Sequence, residues 1–119
     1  MSCFPEKEVS FNCIEQGADW VQSLTLKDSN GDPINLTGAT AKMQFRPTVN
    51  GDLVIDLSNG SGITLGGALG TIDMEIDNTV TDDLTAVSLV FDFFITWSTG
   101  KTDRLFYGQV DVIKRITRP

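Results

Sequence analysis

The feature that most constrains the fold is a strict alternation of side chains in the last third of the chain. Between residues 88 and 97, every second position is apolar, and the positions between them carry both polar and apolar side chains. Such alternation indicates a β-strand with one buried face and one wet face. The chain turns through TGKTDR and returns in LFYGQVDVIKRITR, which predicts two long antiparallel strands. The apolar set is Leu89, Phe91, Phe93, Ile95 and Trp97, and the mixed set is Val90, Asp92, Phe94 and Thr96.

The same period of two recurs upstream in five shorter segments, each bounded by turn residues. Alternation over 4–8 residues between turns is typical of antiparallel strands. We therefore predict strands over 20–26, 40–46, 52–57, 63–65 and 71–77.

Glycine-containing turns separate these strands. Asn30-Gly31 is expected to form a type I′ hairpin, because asparagine and glycine both accept positive φ. Further Asn-Gly pairs begin at Asn50 and Asn59. One short helical turn is predicted over 80–87, with Thr81 as its N-cap. Together these elements predict an immunoglobulin-like antiparallel β-sandwich of seven to nine strands with one short helical turn.

The length of 119 residues is that of one domain. We expect a single β-sandwich domain over 9–119, preceded by an N-terminal arm over 1–8. No apolar run approaches the roughly 18 residues of a membrane span, and the first residues lack the pattern of a signal peptide. Two cysteines fit a reducing cytosol better than secretion, and whether Cys3 and Cys13 are bonded is left open.

Charge is distributed unevenly along the chain. The formal net charge is −7, which disfavours sequence-independent binding of nucleic acid. Five of the nine Lys and Arg residues nevertheless lie in the last 19 positions. This basic end indicates either a solvated strand end or a contact with an acidic partner. Its members, expected on the two ends of the last hairpin, are Lys101, Arg104, Lys114, Arg115 and Arg118.

No pattern in the chain indicates catalysis. Histidine and Cys-x-x-Cys are both missing from the sequence, so it offers neither the usual general base nor a metal-binding motif. We expect no catalytic residue, no metal and no cofactor. The DSNGD segment at 28–32 resembles part of a calcium loop, but its glycine stands at the fourth place, which favours a tight hairpin. The adjacent Asp82 and Asp83 are interpreted as helix-capping residues rather than an acid–base pair.

The aromatic residues are divided between core and surface by strand phase. Phe94 shares a face with Asp92 and Thr96, so we predict that it is exposed and contacts a partner. The remaining aromatic residues mostly fall at inward positions. The residues predicted to be buried are Trp20, Phe91, Phe93, Ile95 and Leu105.

A series of short motifs covers nearly the whole chain in a fixed order. It runs from a Gly-x-Asp-Trp start through an Asp-x-x-Gly-x-Pro hairpin and a Leu-Thr-Gly-Ala step to a strand ending in Arg. An aromatic-Asp strand, an Arg-Leu…Gly-x-Val return and a terminal Thr-Arg follow. The residues concerned are Gly17, Asp19, Trp20, Asp28, Gly31, Pro33, Leu36, Thr37, Gly38, Ala39, Arg46, Phe91, Asp92, Arg104, Leu105, Gly108, Val110, Thr117 and Arg118.

In this order and spacing the chain resembles small β-sandwich proteins of tailed bacteriophages. It is similar to the N-terminal module of phage baseplate upper proteins. The resemblance implies a structural role in the virion and assigns no catalytic residue.

The leading hypothesis is therefore a non-catalytic virion protein, a subunit of a tail, baseplate or fibre attachment. Capsid decoration or head–tail joining is an alternative location, and a host-surface glycan-binding module is an alternative class. We expect synthesis in the host bacterial cytoplasm, incorporation into the virion, and contact with other virion proteins as a homo-oligomer or lattice subunit. Neither nucleic acid nor membrane is an expected partner. The expected contact joins the basic end to a neighbour's Asp73, Glu75 and Asp77, with the arm 1–8 clasping that neighbour.

Overall fold

Strands dominate the computed structural model, which describes residues 7–9, 11 and 13–116. Helix is confined, within those residues, to one α-helical turn and one 3-10 turn at Gly67–Leu69. The predicted all-β class is confirmed. The elements are β1 (Lys7–Val9), β2 (Ile14–Glu15), β3 (Trp20–Thr25), β4 (Thr40–Arg46), β5 (Ile55–Asn59), β6 (Gly62–Leu65), β7 (Thr71–Ile76), α1 (Asn78–Thr81), β8 (Ser88–Thr96) and β9 (Thr102–Ile113).

The strands form one continuous hydrogen-bonded sheet that curves around a single core, like a barrel that has not closed. Its order is β1-β9-β8-β4-β5-β6-β7-β3, and β2 also pairs with β9. β1 and β2 run parallel to β9, and β5 and β6 are parallel over two residue pairs. The other neighbours are antiparallel. The short β5–β6 contact joins a larger half, β9-β8-β4-β5, to a smaller half, β6-β7-β3.

Aromatic packing closes the core where the backbone does not. The ring of Phe93 is fully buried and stacks on that of Phe106, with centroids 4.7 Å apart. Phe11, between β1 and β2, stacks on Phe91 at 5.4 Å and meets Trp20 of β3 edge-on at 5.7 Å. Phe11 therefore packs between β8 and β3, the last strand of the sheet order.

The predicted core is largely confirmed, with one correction at Leu105. Trp20, Phe91, Phe93 and Ile95 are all buried, whereas Leu105 is only half-buried. A β-bulge explains the difference, because Phe93 pairs with Phe106 while the next residue, Phe94, pairs with Arg104. Leu105 is the extra residue of the bulge, and the ring of Phe106 fills the inward position instead.

The turn between β3 and β4 forms as a hairpin but not as type I′. Gly31 has a φ of 83°, whereas no non-glycine residue in the described ranges has a positive φ, so Asn30 does not take the conformation that type I′ requires. The N–H of Gly31 donates to the carbonyl of Asp28, whose carboxylate accepts from the N–H groups of Asn30 and Asp32. This is the pattern of a three-residue loop with glycine in the left-handed position. The carboxylate of Asp28 is thus used within the loop.

Two predicted boundaries are wrong. β5 begins at Ile55 rather than at residue 52, and Leu53, inside the predicted strand, is exposed. The helical turn spans Asn78–Thr81 and not 80–87. Its N-cap is Asp77, whose carboxylate accepts from the N–H of Thr79.

Several predictions about the termini concern residues that the structure does not describe. Residues 1–6 of the predicted arm lie outside the described ranges, as do Cys3 and Arg118. Lys7 and Glu8, placed in the arm, belong to β1 and pair in register with Phe106 and Tyr107. Cys13 is exposed.

The burial of adjacent residues on β8 makes a direct test of the two faces. We expect Phe93→Ala to lower the free energy of unfolding by about 3–5 kcal/mol, because it empties a closed part of the core. Phe94→Ala, one residue along on the opposite face, should change it by no more than about 1 kcal/mol. Urea denaturation monitored by tryptophan fluorescence measures both. Equal losses in the two variants would show that the faces of β8 are assigned wrongly.

Candidate interaction surface

The outer face of the larger half carries a regular array of side chains, which we call the Phe94 face. Strand alternation points these side chains away from the core, and the register of β5, β4, β8 and β9 aligns them in three rows. Each row crosses the sheet at right angles to the strands. The rows are Ser58-Lys42-Phe94-Arg104, Asp56-Gln44-Asp92-Tyr107 and Arg46-Val90-Gln109.

Phe94 lies at the centre of this face and is 40% exposed, as the alternation predicted. Its cross-strand neighbours are Lys42 on β4 and Arg104 on β9. Long basic side chains lay their methylene stems along apolar surface while the charged heads stay in water. The ring is therefore flanked on both sides by positive charge, and a shallow depression of about 590 Å³ lies beside it.

Arg104 is held over the ring of Tyr107. Its guanidinium carbon lies 4.8 Å from the ring centroid, and its Nη1 lies 3.9 Å from Oδ2 of Asp92. Both charged side chains are more than a third exposed, so the ion pair contributes little to stability. The contacts instead fix the direction of the guanidinium and leave Tyr107 as a second aromatic wall of the depression.

Arg46 closes the opposite end of the Phe94 face. It donates from Nη1 to the carbonyl of Gly51 at 2.9 Å and from Nη2 to Oε1 of Gln44 at 3.0 Å. These bonds hold the turn after β4, where Val49 is 81% exposed. Arg46 therefore holds the turn in place and also forms one wall of the depression.

The basic end occupies the two ends of the last hairpin, so its members do not form one surface. Lys101 and Arg104 lie at the hairpin between β8 and β9, whereas Lys114 and Arg115 follow β9 at its other end. β9 has 12 residues, which separates the two pairs by roughly 30 Å. Only Arg104 of this set joins Phe94, and Arg118 lies outside the described ranges.

Lys114 and Arg115 are engaged in holding the fold. Nζ of Lys114 donates to the carbonyls of Leu84 and Ala86 at 3.1 and 3.2 Å. Nη1 of Arg115 lies 2.6 Å from Oδ1 of Asp82. These two cations therefore tie the end of β9 to the segment after α1, which weakens the prediction that they contact a partner.

The same region contains a hydrogen-bonded clasp between the N-terminal segment and α1. Gln16 donates to the carbonyl of Leu84 at 2.9 Å and accepts from the N–H of Arg115 at 3.0 Å. The hydroxyl of Thr81, which is fully buried, donates to the carbonyl of Ala18 at 2.8 Å and accepts from the N–H of Gly17 at 3.1 Å. Thr81 is therefore a tether and not the helix cap that the sequence suggested.

The outer face of the smaller half is acidic, and we call it the acidic face. Asp73 and Glu75 of β7 point outward beside Ser23 and Val21 of β3. The hydroxyl of Ser23 donates to Oδ1 of Asp73 at 2.6 Å. No Lys or Arg occurs in β3, β6 or β7.

Asp77 has a different task from the other two carboxylates of the predicted acidic set. The hydroxyl and the backbone N–H of Thr79 both donate to the carboxylate of Asp77. These bonds, the hydroxyl's first in importance, hold the pKa of Asp77 below its usual value of 3.8. It caps α1, so the acidic face is centred on Asp73 and Glu75.

Other classes of site are not seen in the part of the chain that the structure describes. No three His, Cys, Asp or Glu side chains in the described ranges are grouped to hold a metal ion. None of the helices within those ranges is long and apolar enough to cross a membrane. Asp82 pairs with Arg115 rather than with Asp83.

Sequence reasoning identified Phe94 and Arg104 but missed Lys42, Gln44 and Tyr107. Strand alternation placed Lys42 and Gln44 on a wet face, yet it gave no information on which strand lies beside which. Tyr107 was grouped with the inward aromatic residues because the bulge in β9 was not visible in the pattern.

No protein-family model matches the chain. No curated protein matches it.

The clasp generates a test of the role of Thr81. Thr81→Val keeps the size of the side chain but leaves the N–H of Gly17 without its acceptor, so we expect a loss of about 1–3 kcal/mol in the free energy of unfolding. Thr85→Val, at an exposed position nearby, is the matched control and should be nearly neutral. Thermal and urea denaturation measure both variants. A Thr81→Val protein as stable as the control would show that the tether does not support the fold.

Proposed function

We propose that this chain is a non-catalytic structural subunit of a tailed-bacteriophage virion, located in the tail, the baseplate or a fibre attachment. The resemblance in motif order suggests this role. The feature of the structure that supports it best is the Phe94 face, a four-strand surface with an exposed aromatic ring at its centre. Surfaces of this kind, with an aromatic centre and polar surroundings, are typical of protein–protein contacts.

The finer fold assignment that goes with this function is an immunoglobulin-like sandwich. In that fold one sheet has the order G-F-C-C′ and the other contains B, E and D. The larger half, β9-β8-β4-β5, matches the first order, and the smaller half, β3-β7-β6, matches the second. β1 and β2, parallel to the last strand, fit the remaining first strand.

The residues that carry the resemblance have framework roles in this chain. Gly17 has a φ of 85° and donates to Thr81, and Asp19 accepts from the N–H of Asn78 at 2.7 Å. Leu36 and Ala39 are buried on the way into β4. The shared motifs therefore describe how the chain turns and packs, which supports a common architecture and a structural role.

A glycan-binding module is the competing class, and one observation favours it. Two aromatic rings, Phe94 and Tyr107, and two amides, Gln44 and Gln109, line the same depression. Rings and planar polar groups are the side chains with which proteins commonly hold sugars. An array of host-surface glycans, probed with the chain in its assembled state, discriminates between the classes. A subunit with only a structural role should bind none of the glycans.

Incorporation into particles tests the structural role. We expect mass spectrometry of purified virions of the encoding phage to detect the chain, and immunogold labelling or an averaged particle map to place it on the tail or baseplate. A signal on the head instead would indicate the alternative of capsid decoration or head–tail joining. A chain that is missing from purified particles refutes the virion role altogether.

The Phe94 face provides the matching variant. Phe94→Ser should leave the melting temperature nearly unchanged, because the ring is exposed, but should reduce incorporation into particles at least tenfold. Val87→Ser, which also replaces an exposed apolar side chain by serine but lies away from this face, is the control and should incorporate normally. Normal incorporation of a folded Phe94→Ser protein would mean that the contact lies elsewhere on the molecule.

A further inference from the structure

The two outer faces of this fold carry complementary features. Three of the nine Lys and Arg residues of the chain line the depression on the Phe94 face, against two carboxylates on that face, those of Asp92 and Asp56. This is a local positive excess on a chain with a net charge of −7. The three are Lys42, Arg46 and Arg104.

The acidic face is its counterpart in both charge and apolar content. Asp73 and Glu75 stand on β7 in strands without any Lys or Arg. Val21, directly opposite Glu75 on β3, is 55% exposed. An apolar side chain flanked by carboxylates matches an aromatic ring flanked by cations, because unlike charges attract across a contact and like charges are rejected.

The positions of the two faces determine the kind of assembly. They belong to different halves of the sheet and point away from the core in different directions. One molecule cannot bring them together, but a second copy can. A contact between two different surfaces of identical chains leaves one free face at each end, so it continues into a ring or a filament.

We propose that the Phe94 face binds the acidic face of a second copy of this chain, so that copies associate head to tail. The inference goes beyond the virion role proposed above and deepens it, by naming the partner surface of the same site. It also replaces the contact expected from the sequence, in which the basic end was the donor surface, because Lys114 and Arg115 are bonded to their own chain.

The size of the face sets the strength of the contact. The face is formed by nine paired residues on each of β8 and β9, seven on β4 and five on β5, which at about 3.3 Å per residue and about 4.8 Å between strands cover roughly 480 Å². A standard stable interface buries about 800 Å² per partner. The contact is therefore weak between two free molecules and becomes effective in a closed ring or on a repeated lattice, where several contacts act together.

Charge reversal in matched pairs tests the inference. The groove variant is named after the depression on the Phe94 face and carries Lys42→Glu and Arg104→Glu. The acidic-face variant carries Asp73→Lys and Glu75→Lys. The control carries Lys27→Glu and Lys101→Glu, which changes the net charge as much as the groove variant does, at exposed lysines that line neither face. Sedimentation velocity over a range of protein concentrations at low salt gives the average mass, and thermal melting checks that each variant is folded.

We expect the wild-type chain and the control to associate as concentration rises, and to return to monomers at about 1 M salt, where the screening length falls to about 3 Å. Each reversed variant alone should remain monomeric. An equimolar mixture of the two, and a single chain carrying all four changes, should associate again, because each altered face then meets its complement. If the groove variant does not fold, Lys42→Glu alone replaces it.

Several results would overturn the inference. The inference is wrong if the wild-type chain is monomeric at every concentration. It is also wrong if a folded groove variant associates like the control. A monomeric groove variant beside an associating acidic-face variant would show that the groove binds another surface. A monomeric wild-type chain that binds an acidic glycan would assign the groove to a sugar instead.

The failure of this inference and that of the virion role are separable. A chain found in particles but monomeric in solution, with incorporation unaffected by the groove changes, contradicts only the head-to-tail contact. A chain that associates as described but is missing from purified particles contradicts only the virion role.

Discussion

The β-bulge between Phe93 and Phe94 is the constraint on which both the core and the surface depend. Along a regular strand, residues three apart point to opposite faces. The extra residue Leu105 changes this phase, so that Arg104 and Tyr107 lie on the same outer face while Phe106 points inward. One inserted residue thus stacks Phe106 on Phe93 inside the fold and brings Arg104 over Tyr107 outside it.

The stability of the fold and the properties of its surface depend on different interactions. Burial of aromatic rings contributes several kcal/mol for each residue, about 3–5 for a phenylalanine removed from a closed core. The ion pair and the cation–π contact of Arg104 contribute about 1 kcal/mol or less each at exposed sites. Substitutions that alter the charge pattern of the Phe94 face therefore cost little stability, whereas substitutions on the inner face cost much more. This separation allows a small β domain to carry different contacts on one framework.

The parts of the fold that could be predicted from the sequence are those set by local pattern. β4 spans Thr40–Arg46, the range that the alternation indicated, because Pro47 follows and cannot donate to the sheet. The exposure of Phe94 follows from the same alternation. The bulge has no local signal, since it depends on how β9 fits against β8.

Long-range partners also decided the corrections around α1. The hydroxyl of Thr81 was available as a cap in the sequence, but the turn at Gly17, 64 residues away, binds it, and Asp77 caps the helix instead. Of the candidate surface, the sequence could identify the ring but not its neighbours Lys42 and Tyr107, because these depend on strand order and register.

An exposed phenylalanine in the middle of a sheet favours non-specific association. Apolar groups on a flat β surface promote indiscriminate association. Lys42 and Arg104 stand on both sides of Phe94, so any surface that approaches the ring must also meet two positive charges. An uncharged apolar surface would have to strip water from these cations without compensation, whereas a carboxylate-bearing surface replaces that water. In the proposed head-to-tail contact, the ring therefore supplies the attraction, and its charged neighbours select a carboxylate-bearing surface over an uncharged one.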